Sequence, residues 1–141
     1  MVGAVFILPG EKRALVSASD LRAAAACEWA LLRDFDALLG RGEPVPGDAE
    51  AMLARTAALG MAHEQRVLRS LLAERPGEVT QIPRPVMTRA GLDAAATATR
   101  AALASEASVV YQAAFADDRF VGLADFLVRD EQGRWQVWDT K

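Results

Sequence analysis

The residues after position 108 change period. "VVYQAAF", "FVGLADFLV" and "RWQVWDTK" have the length and apolar texture of strands, and only "ADDR" and "RDEQG" separate them. Connections this short leave no room for a crossover helix. The three strands must therefore run antiparallel, as a meander. Both of the last two strands are apolar on each face, which predicts a covered sheet.

The remainder of the chain reads as what covers it. "AVFIL" is a strand and "PGEK" the turn after it. "LVSASDLRAAAACEWALLRDFDALLGRG" reads as a strand end, a cap at Ser19 or Asp20, and a helix to about Leu39 that Gly40 or Gly42 stops. Ala24, Cys27, Leu31, Phe35 and Leu38 form its apolar stripe. After the loop "EPVPG", a longer helix runs through "DAEAMLARTAALGMAHEQRVLRSLLAERPG" to Pro76 and Gly77. Its stripe of Leu53, Thr56, Gly60, His63, Val67 and Leu71 puts the single histidine on the buried side. "EVTQIPRPV" is an edge strand, because Pro83 and Pro85 cannot sit in a sheet centre. "TRAGLDAAATATRAALASEA" is a third helix.

At 141 residues, 52% hydrophobic and 25% charged, the chain is expected to form one α/β domain. A net charge of −3 argues against a surface built for non-specific nucleic-acid binding, without excluding a locally basic groove. The one cysteine, Cys27, cannot form an internal disulfide, which points to a reducing, cytoplasmic setting. The apolar start is too short for a membrane span, and its charges follow rather than precede it, unlike a signal peptide.

Chemistry concentrates in the last hairpin. A turn centred near Gln132 places Asp125 opposite Asp139, with Cβ atoms roughly 5 Å apart, whereas a bulge at Gly133 would shift this register by one residue. Two carboxylates among Leu123, Phe126, Val137 and Trp138 repel each other and lose hydration, unless a cation lies between them. Mg²⁺ or Mn²⁺ fits carboxylate oxygens. Lys141 lies two residues beyond Asp139, on the same strand face, where its ammonium can steady a metal-bound hydroxide or a developing phosphate charge. The plainer alternative is that acids and lysines at strand ends are solvated edge residues. His63 on a helix stripe is by default a core residue, and "HEQRV" lacks the second histidine of a zinc-protease motif. Cys27 reads as a small buried residue and Trp135 and Trp138 as core.

In order along the chain, "SASDLRAAAACEWALL", "LGMAHEQRVL", "GLADFLV" and "WQVWDTK" resemble the RecB-like nucleases of the PD-(D/E)XK superfamily. The likeness is nearest to bacterial RecB-like nucleases that are often fused to a helicase region, and it covers almost the whole chain. It implies a restriction-endonuclease-like core: a mixed sheet with an antiparallel meander, flanked by helices. The implied activity is metal-dependent hydrolysis of DNA, as an exonuclease working with a helicase in DNA repair or recombination. His63 matches the family's helix metal ligand, Asp125 and Asp139 its strand acids, and Lys141 its catalytic lysine, with Glu64 in support. Cys27 matches the first cysteine of members holding a [4Fe–4S] cluster, whose other three cysteines lie downstream of the core. A cluster needs four thiolates in the usual case, so this chain alone cannot hold one. The family core continues past the D-x-K strand with a Gln/Tyr helix and a further strand. Residues 1–141 are therefore expected to be the N-terminal part of such a domain, truncated after that strand and inactive alone. The expected partners are DNA, as a single strand or an end, and a helicase region in the same or an associated chain.

Two rival readings remain open at this point. One is an inactive nuclease-fold module with a structural or DNA-tethering role. The other is an Ala-rich helical interaction domain with a small sheet, which predicts that Asp125 and Asp139 lie far apart and exposed.

Overall fold

The turn at "RDEQG" is built by Asp130. One of its carboxylate oxygens accepts from the N–H groups of Gln132 and Arg134, each at 2.9 Å, and Gly133 takes a left-handed φ of 78° that a side chain would oppose. In the computed structural model, which describes residues 6–43 and 50–139, this turn joins β5 (Phe120–Arg129) to β6 (Trp135–Trp138). Asp117 does the same for the preceding turn, accepting from Arg119 and Phe120 N–H groups at 2.7 Å between β4 (Val109–Ala116) and β5. The meander β4–β5–β6 is antiparallel throughout, as its short connections require.

Three further strands complete a mixed six-stranded sheet: β1 (Phe6–Ile7), β2 (Ala14–Ser17) and β3 (Val79–Gln81). The order is β1-β2-β5-β4-β3, with β6 also paired to β5. β3 takes the edge beside β4, in parallel, where the prolines after it remove no ladder bond. β2 lies parallel to the start of β5, Val16 opposite Phe120 and Ser17 opposite Val121. β2 and β6 thus approach the same side of β5 from its two ends.

Four helices are described: α1 (Ala18–Ala26), α2 (Glu28–Leu38), α3 (Glu50–Glu74) and α4 (Arg89–Leu103). α4 covers one face of the meander. Its alanines let it approach closely, so that Ala95 and Ala102 meet Val110, Ala113, Ala114 and Leu127 with Ile82 at the rim. The buried Thr99 hydroxyl accepts the Ala114 N–H at 2.9 Å, so this helix supplies a hydrogen bond to the strand backbone. Thr88 caps α4 by accepting the Gly91 N–H, and a Cβ on Gly91 would lie 2.3 Å from the Val86 carbonyl oxygen, so only glycine fits there. α3 covers the opposite face, where Leu68 and Leu71 meet Val109, Phe126 and Val128. A third cluster of Leu8, Leu15, Leu92 and Val121 seals the β1–β2 end. There the Arg89 guanidinium holds both Glu11 carboxylate oxygens at 2.9 Å and the Asp117 carbonyl at 2.7 Å, tying α4 to both neighbouring turns.

Several expectations need correction. The cap of the first helix is Ser17, not Ser19 or Asp20. Its hydroxyl accepts the Asp20 N–H while the buried Asp20 carboxylate accepts the Ser17 N–H at 2.7 Å, a reciprocal capping box. The helix expected to run on to Leu39 breaks at Cys27, whose extended backbone (φ −159°) separates α1 from α2. Cys27 is consequently exposed instead of buried. β6 is not covered: Val137 is 70% and Trp138 45% exposed, and Trp138 does not belong to the core. Trp135 is half-buried, at the edge of the α4-side cluster, with the Arg129 guanidinium 5.1 Å over its ring.

Candidate functional site

The β5–β6 ladder pairs Arg129 with Trp135, Val128 with Gln136, Leu127 with Val137 and Phe126 with Trp138. This is the register expected from a turn centred on Gln132. Its next step aligns Asp125 with Asp139, and β6 ends at Trp138, one residue short of it. Asp125 is half-buried inside β5, and Asp139 is exposed just past β6. Lys141 lies outside the described residues.

On the α3 side of Asp125 the structure gathers polar groups from three elements. The stripe of α3 that turns inward is Gly60, Glu64, Val67, Leu68 and Leu71, which are half-buried or buried. Glu64 therefore faces the sheet. Its carboxylate accepts from the Gln112 side-chain amide, and beside it the Gln65 amide donates to the Tyr111 hydroxyl at 2.9 Å. Tyr111 leans on Phe126, their ring centroids 5.1 Å apart, which roots this polar group in the α3-side core. Burial, then the hydrogen bond and charge of Glu64, and then the charge of Asp125 push the Tyr111 hydroxyl above the ordinary phenol range, with Gln112 partly offsetting them. Glu64 and Asp125 thus act on one phenol from two elements.

The backbone makes this possible. Strand side chains alternate, so Tyr111 and Gln112 should face opposite helices. Gln112 instead has φ 58°, the one non-glycine left-handed residue described, at a cost of about 1–2 kcal/mol. Both side chains consequently reach α3, and the next two residues, Ala113 and Ala114, both join the α4-side cluster. Gln112 falls opposite Asp125, between the pairs Tyr111–Phe126 and Ala113–Ala124.

His63 is not on the inward stripe. It is exposed, about a quarter turn from Glu64, and its Nδ1 lies 3.3 Å from the Arg66 guanidinium. With Nδ1 accepting that bond, a neutral imidazole carries its proton on Nε2, so metal ligation through either nitrogen requires breaking the Arg66 contact. Among the described residues, no group of three or more His, Cys, Asp or Glu side chains stands close enough to hold a metal ion. The described part offers Asp125 and Asp139 one step beyond the last paired residues of β5 and β6, and Glu64 bonded to Gln112, not a ligand shell. Cys27 stands alone at the α1–α2 junction, one thiol where a cluster needs several.

Beside Glu64 runs a groove lined by Met61, Gln65, Ile82, Arg84, Tyr111 and Gln112, with Arg84 its one cationic lining residue. Sequence reasoning missed Tyr111, Gln112 and Gln65. A signal existed for Tyr111 and Gln112: they are the two polar side chains in "VVYQAAF", and neither can be buried without a partner. No family model, no curated protein and no solved structure matches this chain.

Proposed function

We propose that this chain is the N-terminal part of a RecB-like nuclease domain of the PD-(D/E)XK superfamily, with a restriction-endonuclease-like core, cutting DNA phosphodiesters with a metal-activated water. The observation that supports this reading is the β5–β6 register inside an α/β fold with a mixed sheet: the ladder ends at the pair Phe126–Trp138, and one further step in the same register would set Asp125 beside Asp139. Asp125 and Asp139 would hold Mg²⁺ or Mn²⁺, joined by His63 once it leaves Arg66. The cation would supply a Lewis acid that lowers the pKa of a bound water. Lys141 steadies negative charge on the attacking or leaving oxygen, and Glu64 supports the acid pair through its contacts with Gln112 and Tyr111. The partners in this reading are a DNA strand or end and a helicase region, in the cytoplasm, and Cys27 contributes to a [4Fe–4S] cluster completed by cysteines elsewhere. Cutting by the natural full-length protein with Mn²⁺ tests it: Asp139→Ala and Lys141→Ala should each lower the rate about 10²–10³-fold. Undiminished cutting by either variant refutes the reading.

A second reading is a nuclease fold without catalysis, serving as a structural or DNA-tethering module. The exposed His63, engaged by Arg66, favours it. Calorimetry that finds no Mn²⁺ site dependent on His63 and Asp125 would support this module over the enzyme.

A further inference from the structure

We infer that Gln112 is the positioning residue of this site: its left-handed backbone turns two successive β4 side chains onto α3, and its amide fixes the Glu64 carboxylate beside Tyr111, the phenol whose ionisation Asp125 also opposes. The catalytic consequence rests on the nuclease reading above; the positioning itself does not.

Three observations converge on this residue. A left-handed glutamine in mid-strand is costly, and such strain persists only where surrounding structure holds it. Here it is held from two directions. The Gln112 side chain is bonded to Glu64 on α3, and two residues on, the Ala114 N–H is taken by the buried Thr99 hydroxyl of α4. The deviation also has a local result that regular alternation cannot give: adjacent residues Tyr111 and Gln112 contact adjacent residues Gln65 and Glu64 of one helix. Finally, the deviation occurs opposite Asp125, not elsewhere along the ladder. A carboxylate held by a side-chain amide keeps one orientation. Without the amide, Glu64 on a half-exposed helix face samples several rotamers, and its distance to Asp125 is no longer set.

Tyr111 is the only tyrosine in the chain, so its ionisation can be followed by tyrosinate absorbance in the metal-free protein. The experiment is a double-mutant cycle on that titration midpoint with Gln112→Gly and Glu64→Gln. Glycine accepts the left-handed backbone, so Gln112→Gly should fold with an undiminished melting temperature. Glu64→Gln should lower the Tyr111 midpoint, because it removes a neighbouring negative charge. The two shifts should not add: in the Glu64→Gln background the Gln112→Gly shift should shrink, and Gln112→Asn should restore part of the wild-type midpoint. Additive shifts would overturn the positioning role. In the full-length protein, Gln112→Gly should lower Mn²⁺-dependent cutting about 10-fold or more. If that protein does not cut at all, the nuclease reading fails while the tyrosine cycle still decides the role of Gln112.

Discussion

β5 is shared by two hairpins that meet solvent in opposite ways. Towards β4 it lies between α4 and α3, and Val109, Val110, Ala113, Phe126 and Val128 are buried. Towards β6 the same strand carries a partner whose Val137 is 70% exposed. Both hairpins are antiparallel and closed by turns of a few residues. They differ in length, since β4 runs over Val109–Ala116 and β6 only over Trp135–Trp138, and in cover. The covered hairpin supplies the buried residues of two core clusters, and the uncovered one ends beside the exposed Asp139. Under the nuclease reading proposed above, an open hairpin is what a carboxylate site would need, since full burial would isolate carboxylates from substrate and cation.

The sharpest way to break this contrast is to remove one large side chain from each hairpin. Phe126→Ala should cost about 3–5 kcal/mol in denaturant unfolding, because its ring fills the space between Leu68, Leu71 and Tyr111. Val137→Ala should change stability by about 0.5 kcal/mol or less. Equal losses would mean that β6 is covered after all. A smaller effect probes how the covered hairpin is held. Thr99→Val keeps the shape of α4 but strands the buried Ala114 N–H, and should cost about 1–3 kcal/mol by the same assay.

The smallest effect belongs to the turn of the open hairpin. The backbone N–H of Arg134, with the Arg134 side chain and the Gln132 and Gln136 donors, holds the Asp130 carboxyl below the usual carboxylate range. A depressed pKa adds stability above the unfolded value of about 4 and loses it as pH falls through the lower folded value. Asp130→Asn should therefore flatten the decline of melting temperature below pH 4 while changing the slope above pH 6 very little.

Much of this was readable from local chemistry. Gly133 and the acid at the start of "RDEQG" set the turn, and the turn set the register that aligns Asp125 with Asp139. Pro83 and Pro85 marked β3 as an edge. The phase of α3 was not readable, because His63 and Glu64 stand three and four residues after Gly60 and both spacings continue a helical stripe. Contact with the sheet chose Glu64. The break at Cys27 was hard to read because the alanine-rich run around it favours helix, and a single cysteine lowers that preference only slightly. Nor does alternation announce its own failure at Gln112; only the helix on the far side of the strand reveals which way that residue turns.

The parallel seat of β2 on β5 has a consequence for the order of assembly. It joins Val16 to Phe120, about a hundred residues apart, whereas the meander joins neighbours across turns of a few residues. Closing the long loop gains contacts only once β5 has an edge to offer. The topology therefore predicts that the C-terminal half is the template and the N-terminal strand pair a late arrival, so that substitutions in β2 should slow folding less than substitutions in the β4–β5 hairpin.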